Sequence, residues 1–220
     1  MVDWELVRSS AWPLLQGLVL GTIPLTAASF AVGLAIAVVV ALMRLSPVRL
    51  VSGLARVYVS AIRGTPLLVQ LFIVFYALPS VGLTIDPWPS AILALSLNVG
   101  GYAAEVVRSA ILSVPRGQWE AAATVGMGYA TTLRRVVAPQ AARLAVPPLS
   151  NTLISLLKDT SLVSVVLVTE MFRVAQQIAA PTFQFLTLYA LAAAYYWVVC
   201  AVLAAAQDRL EVRLNRYVTT

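Results

Sequence analysis

The sequence predicts an all-α, polytopic membrane protein with five transmembrane helices. Of the 220 residues, 60% are hydrophobic and only 11% are charged, and the mean hydropathy is +0.89. A soluble domain has about 25% charged residues. The apolar residues also fall in runs long enough to cross a bilayer, which takes about 20 residues per helix. We therefore expect a single transmembrane domain over residues 1–220.

Five apolar runs predict the spans, at about residues 17–43, 57–78, 89–113, 147–170 and 183–206. The first run is longer than the short apolar core of a signal peptide, so we expect it to be a span. The preceding segment, residues 1–15, places charged residues among apolar ones. This pattern is typical either of a short helix on the outer membrane surface or of a disordered tail.

Arginines predict the orientation, because cytoplasmic loops keep Lys and Arg close to the ends of spans. The second loop, "PSVGLTIDPWP", has no arginine or lysine. The first loop, the third loop and the C-terminal tail carry Arg44, Arg49, Arg56, Arg116, Arg134, Arg135, Arg143, Arg209, Arg213 and Arg216. We therefore expect the N-terminus outside and the C-terminus in the cytoplasm.

The residues on which most enzymes and metal sites depend are scarce. The sequence has no histidine, and Cys200 is its one cysteine. The commonest general base and an internal disulfide are therefore both excluded. No segment matches the phosphate-binding pattern G-x-x-x-x-G-K-[ST]. We expect no catalytic residues, no metal and no other cofactor in this chain.

Polar side chains recur at helical spacing inside three of the spans. A charge at mid-bilayer costs at least about 2.5–3.5 kcal/mol, so each must face protein or a water-filled cavity. Polar residues can also join packed helices by hydrogen bonds worth about 0.6 kcal/mol each, which is our interpretation of Asn151, Ser155 and Ser109. Glu105 and Arg108, three residues apart, predict a structural ion pair. The candidates for a substrate pathway are Gln70, Asn98, Tyr102 and Asp159.

Lys158 and Asp159 stand side by side in an apolar run. Neighbouring helical residues point about 100° apart, so the two charges cannot both face the same small spot. Asp159 continues the Asn151 and Ser155 stripe and suits an ammonium group or an opposing arginine, whereas Lys158 suits a carboxylate or a neighbouring helix. The hydroxyls of Thr160 and Ser161 either serve a substrate or bond back to the backbone.

The longest connection covers residues 115–146, on the cytoplasmic side, and is too long for a simple linker. Its composition predicts a helix over 118–125, a turn at Gly126 and Gly128, and a second short helix over 129–137 before Pro139. The pattern alone fits an interfacial anchor and a docking element equally well.

Within this loop, "EAAATVGMGYATTLRRVVAPQ" resembles the EAA loop of ABC importer permeases. The resemblance implies that Glu120, Ala121, Ala122 and Gly126 form a docking helix and its turn, which couple the chain to a separate ATPase, and that Pro139 ends the element. "RGTPLLVQLF", "GYAAEVVRSAI" and "PPLSNTLISLLKDTSLVSV" resemble the polar amino-acid branch of these permeases. "ALMRLSP" and "IDPWPSA" resemble the L-cystine permeases within that branch.

The resemblance implies a type I ABC permease fold in a bacterial inner membrane. The implied partners are a cytoplasmic ABC ATPase, an extracytoplasmic amino-acid-binding protein and a second permease chain. We expect a homodimer, with a heterodimer as the alternative, and no contact with nucleic acid. The expected function is translocation of a polar amino acid, L-cystine first, by alternating access, and the chain itself is not an enzyme.

An ion-coupled secondary carrier or channel is the alternative function. In it, Asp159 and Glu105 would bind protons or cations. A secondary carrier has no need of the long third loop, which therefore favours the ABC importer.

Overall fold

A computed structural model of the chain describes residues 4–215, with side chains described for residues 4–213. These residues are almost entirely helical and contain no strand, which confirms the all-α prediction. In chain order the helices are α1 (Trp4–Leu45), α2 (Arg49–Gly64), α3 (Leu67–Val81), α4 (Pro87–Leu112), α5 (Arg116–Thr124), α6 (Tyr129–Val166), α7 (Met171–Thr182) and α8 (Phe185–Asn215).

Three of these helices, α1, α4 and α8, are long and apolar enough to cross a membrane on their own. Two pairs pass the same test together as bent spans: α2 with α3, which meet at 107°, and α6 with α7, which meet at 49°. The described residues therefore provide three to five candidate spans.

Helix α1 is longer than the first expected span. Its 42 residues reach about 63 Å at 1.5 Å per residue, whereas the hydrocarbon core of a bilayer is about 30 Å thick. Within the segment that the sequence suggested as a separate surface helix or a tail, residues 4–15 are thus continuous with the first span. A π-helical turn at Leu18–Thr22 joins the two parts.

Helices α1 and α4 pack closely along each other, because small residues line their contact. A Cβ atom added at Gly33 of α1 would lie 2.7 Å from the Val99 side chain of α4. A Cβ atom at Gly101 of α4 would lie 2.5 Å from Ile62 of α2. Small residues let helix backbones approach in this way in membrane proteins. The contacts fix α4 in the centre of the bundle, with α2 on one flank and α6 on the other.

The expectation that Pro139 ends the second short helix is wrong. Helix α6 begins at Tyr129 and runs through Pro139, and then through Pro147 and Pro148, to Val166. A π-helical turn at Leu133–Val137 precedes Pro139, and in it the Ala138 N–H donates to the Leu133 carbonyl five residues back. A wider turn accommodates the proline ring, which lacks an N–H and crowds a regular helix.

A candidate substrate cavity and a coupling helix

A cavity of about 400 Å³ opens between α4 and α6, next to the break between α2 and α3. Asn98 and Tyr102 line it from α4, one helical turn apart, and Asn151, Ser155 and Asp159 line it from α6. The i, i+4 spacing of both stripes therefore places three of the predicted pathway residues, Asn98, Tyr102 and Asp159, around one space.

The neighbours of Asp159 do not share this cavity. Lys158 is exposed on the flank of α6, while Asp159 is half-buried, and the two form no ion pair within 4.0 Å. The Thr160 hydroxyl is fully buried and donates to the Leu157 carbonyl at 2.7 Å. The Ser161 hydroxyl donates to the Lys158 carbonyl, also at 2.7 Å. Of the two uses that the sequence allowed for these hydroxyls, the structure has the bond to the backbone.

Gln70 lies on α3 beside the break, and its side-chain amide is fully engaged by protein. Pro66 has no N–H, so the Ile62 carbonyl four residues earlier lacks its usual helical donor. The Gln70 Nε2 donates to that carbonyl at 2.8 Å and to the Thr65 hydroxyl at 3.0 Å. Its Oε1 accepts from Asn98 Nδ2 at 3.0 Å. Gln70 thus stabilises the bend between α2 and α3 and orients the Asn98 side chain. It does not line the cavity itself.

A group of charged residues lies one to two turns further along α4. Glu105 pairs with Arg108 on the same helix, as its spacing predicted, and also with Arg44 at the end of α1, at 3.1 Å. The contribution of Arg44 could not be seen in the sequence, because the two residues are 61 positions apart. The guanidinium carbon of Arg63 lies 5.6 Å from the centre of the Tyr102 ring.

The predicted docking segment forms α5 and ends in a tight turn. Gly126 has φ +77°, its N–H donates to Ala123, and the Met127 N–H donates to Ala122, which together make a Schellman motif. The side chains of Glu120 and Ala121 are exposed, whereas Ala122 is 5% exposed and faces the rest of the chain. The presented surface is therefore built from Glu120, Ala121 and the turn, and Ala122 anchors the helix beneath it.

Comparison of the sequence with known proteins identifies the family to which the chain belongs. Residues 33–216 match the model of a family described as "Binding-protein-dependent transport system inner membrane component". The chain belongs to this family of permeases. It is 55% identical to the L-cystine transport system permease protein TcyB of Bacillus subtilis (strain 168), over 99% of this chain and 93% of that one.

Other similar proteins also match this chain over nearly its whole length. The permease is 35% identical to the glutamine transport system permease protein GlnP of Escherichia coli (strain K12), over 97% of this chain and 98% of that one. A solved structure described as the crystal structure of an amino acid ABC transporter with histidines superposes with a TM-score of 0.91 at 32% identity, over 97% of this chain and 99% of that one. The fold is therefore the type I ABC permease fold that the resemblance implied.

Family membership decides between the two function classes. The permease is the membrane-spanning subunit of an ABC importer in a bacterial inner membrane, and the ion-coupled carrier is set aside. It is a transport component rather than an enzyme, and the family implies ATPase and binding-protein partners.

Sequence reasoning missed a buried carboxylate in this permease. Glu170 is 0% exposed and precedes α7, where it accepts from the backbone N–H groups of Phe172 at 2.9 Å and Arg173 at 2.7 Å. It also accepts from the hydroxyls of Tyr196 at 3.0 Å and Thr22 at 3.3 Å. Glu170 thereby ties the start of α7 to α1 and α8. An acidic residue just before a helical pattern is an N-cap signal, but the two hydroxyl partners are distant in sequence.

Proposed function

We propose that this permease translocates a polar amino acid, with L-cystine as the first substrate, by alternating access driven by a separate ATPase subunit. The observation that carries the proposal is the cavity where Asn98, Tyr102 and Asp159 meet. The choice of L-cystine is supported by 55% identity to an L-cystine permease over nearly the whole chain.

Asp159 is the proposed partner of the substrate ammonium group. No basic side chain in the described residues forms an ion pair within 4.0 Å of its carboxylate, and the neighbouring Lys158 lies exposed on the flank of α6. A half-buried carboxylate in a spanning segment is costly without a counter-charge. An ammonium group in the adjoining cavity supplies that charge, and the Asn98 amide and the Tyr102 ring form the opposite wall. The hydroxyls of Thr160 and Ser161 are used within the helix, so they shape α6 near the site.

The proposed coupling surface consists of Glu120, Ala121 and the Gly126 turn, which present α5 to the ATPase. Small side chains permit close approach to a groove, and the Glu120 carboxylate suits a basic group on the partner. Trp119 stacks on Tyr129 with ring centres 5.5 Å apart, which joins α5 to the start of α6. Because α6 continues without interruption from Tyr129 to Asp159, a displacement of α5 is transmitted along one helix to the cavity.

The proposed assembly is a homodimer with its substrate path between the two copies, and a heterodimer with a related permease is the alternative. The proposed orientation has the N-terminus outside and the C-terminus in the cytoplasm. Both proposals follow from the arginine distribution and the implied partners. Alternating access then means that ATP-driven closure of two ATPases moves the paired α5 helices together.

Uptake by the complete complex tests the function. The permease, its ATPase and its binding protein are reconstituted in vesicles, and ATP-dependent uptake is measured for a panel of labelled amino acids. We expect L-cystine to accumulate fastest, and unlabelled L-cystine to compete with it. ATP-dependent uptake of a different amino acid with no uptake of L-cystine would overturn the substrate, and failure of the ATPase to copurify with the permease would overturn the coupling scheme.

A further inference from the structure

The charged residues of the central helices fall into two groups. Arg44 and Arg108 both pair with the one carboxylate of Glu105. Arg63 and Asp159 have opposite charges, and neither forms an ion pair with any side chain among the described residues. Asp159 is half-buried in a spanning segment, where a charge without a counter-ion has a cost that a ligand can offset, whereas Arg63 is exposed and open to a ligand.

The spaces beside these two residues adjoin each other. Asp159 lines the 400 Å³ cavity described above, and Arg63 lines a second cavity of about 510 Å³ between α4 and α6. Tyr102 and Thr152 belong to the lining of both. The Arg63 guanidinium packs over the Tyr102 ring, a contact that holds the cation at this boundary.

The other basic residues nearby are less suited to a ligand in this space. Lys158 is exposed, as Arg63 is, but it lies on the flank of α6 and lines neither cavity. Arg44 is committed to Glu105, and the Arg56 Nε donates to the Ser52 carbonyl at 3.2 Å. The sequence suggested Lys158 as a residue that could bind a carboxylate. In the structure Arg63 is better placed for this, because it lines one of the two adjoining cavities and Lys158 does not.

We propose that the Arg63 guanidinium binds the α-carboxylate of the amino acid whose ammonium group is held by Asp159. This rests on the proposed function. A guanidinium presents parallel N–H donors that match a carboxylate, and charge-assisted pairs of this kind are strong. The two unpaired protein charges then complement the two charges of a zwitterion, with Tyr102 between them. The substrate class that follows is a free α-amino acid with both groups intact.

The test compares L-cystine with cystamine, the diamine that keeps the disulfide and both ammonium groups but lacks both carboxylates. Binding is measured on the permease and ATPase complex in lipid nanodiscs, without the binding protein, by competition against labelled L-cystine. We expect cystamine to compete at least tenfold less well than L-cystine on the wild type. In Arg63→Gln the affinity for L-cystine should fall at least tenfold and the two compounds should compete equally, with Arg63→Lys in between.

Arg56→Gln is the matched control, since Arg56 shares a third cavity with Arg63 but bonds the backbone instead of facing Tyr102. Its L-cystine affinity should stay within twofold of wild type. The inference is overturned if Arg63→Gln keeps the tenfold preference for L-cystine, or if Arg56→Gln weakens binding as much as Arg63→Gln. A wild-type complex that transports another amino acid and does not bind L-cystine contradicts the proposed substrate instead, and the Arg63 comparison is then made with that amino acid and its decarboxylated amine.

Discussion

At the residue scale, Asp159 is a half-buried carboxylate that forms no ion pair with the described side chains. Asp159→Asn keeps the size of the side chain and removes the charge. A hydrogen bond to a charged group is worth about 1.5–3 kcal/mol, so we expect uptake at limiting substrate to fall about 10- to 100-fold, with normal assembly and near-normal basal ATPase activity. The measurement is substrate-dependent uptake in reconstituted vesicles.

Asn151→Ala provides the comparison for Asp159→Asn, because Asn151 lies on the same face of α6, about two helical turns earlier. Asn151 accepts from the Gln207 amide of α8 at 3.3 Å, so its loss should alter uptake no more than about threefold. Wild-type uptake and apparent affinity in Asp159→Asn would contradict the ammonium role. Poor assembly of Asp159→Asn that Lys158→Met rescues would instead show that the two neighbours pair.

Gln70 provides a second prediction, because its amide replaces the N–H that Pro66 lacks. Gln70→Leu leaves the Ile62 carbonyl and the Asn98 amide without partners. Each unsatisfied group costs about 1–3 kcal/mol, and about 1 kcal/mol lowers the melting temperature of a chain of this size by roughly 2–4 °C. We expect the thermal stability of the purified complex to fall by several degrees.

The control for Gln70 is Gln140→Leu, which removes an amide that bonds the Val136 carbonyl within one helical turn of α6 and the exposed Gln118 side chain of α5. Its melting temperature should stay near wild type. An unchanged melting temperature in Gln70→Leu, combined with a specific loss of substrate affinity, would return Gln70 to the set of substrate contacts.

The periodicity of the sequence predicted which residues face the cavity better than it predicted their bonds. Spacing of four residues is enough to align Asn98 with Tyr102 and Asn151 with Asp159. It carries no information about Arg44 beside Glu105, or about Thr22 and Tyr196 beside Glu170, because those partners come from other helices. Gln70 was predicted to line the pathway, whereas the structure has it bonded to the Ile62 carbonyl, a role that became evident only from the bend at Pro66.

At the element scale, the turn that ends α5 depends on one backbone conformation. Gly126 has φ +77°, which costs a residue with a Cβ atom about 1–2 kcal/mol. Gly126→Ala should therefore loosen the end of the helix, raise hydrogen exchange over residues 116–124 and lower coupled uptake. Gly128→Ala is the matched control, because Gly128 has φ −70° and equally open surroundings. Equal effects of the two substitutions would contradict the role of the turn.

Charge on the exposed face of α5 gives a separate prediction. Glu120→Lys reverses a surface charge without touching the core, so the permease should fold and insert normally. If α5 docks on a basic group of the ATPase, uptake should fall at least about tenfold while ATP hydrolysis continues, and Glu120→Gln should lie in between. Unchanged uptake by a normally assembled Glu120→Lys complex would remove Glu120 from the docking surface.

Boundaries of elements were harder to predict than their existence. The helix over 118–125 and the turn at Gly126 were readable, since good helix formers precede a glycine. Pro139 was expected to end a helix, yet it lies inside α6, as Pro147 and Pro148 do. The π-helical turn at Leu133–Val137 accommodates the first of them, and tertiary packing on α4 supports the rest of the helix.

For the whole molecule, the orientation in the membrane can be tested on two exposed aliphatic residues. Leu83 lies between α3 and α4 and is 59% exposed, and Val125 follows α5 and is 73% exposed. With Cys200→Ser as the background, Leu83→Cys should react with an impermeant maleimide added to intact cells, because the loop without arginine or lysine is expected outside. Val125→Cys should react only after the membrane is permeabilised, since α5 must meet an ATPase in the cytoplasm.

Because the two side chains are similarly exposed, a difference in labelling would report which side of the membrane each residue lies on, and not how accessible each side chain is. Labelling of Val125→Cys but not Leu83→Cys in intact cells would invert the orientation and place α5 where no ATP is hydrolysed. Labelling of both from the same side would show that α4, the span-length helix between them, does not cross the membrane.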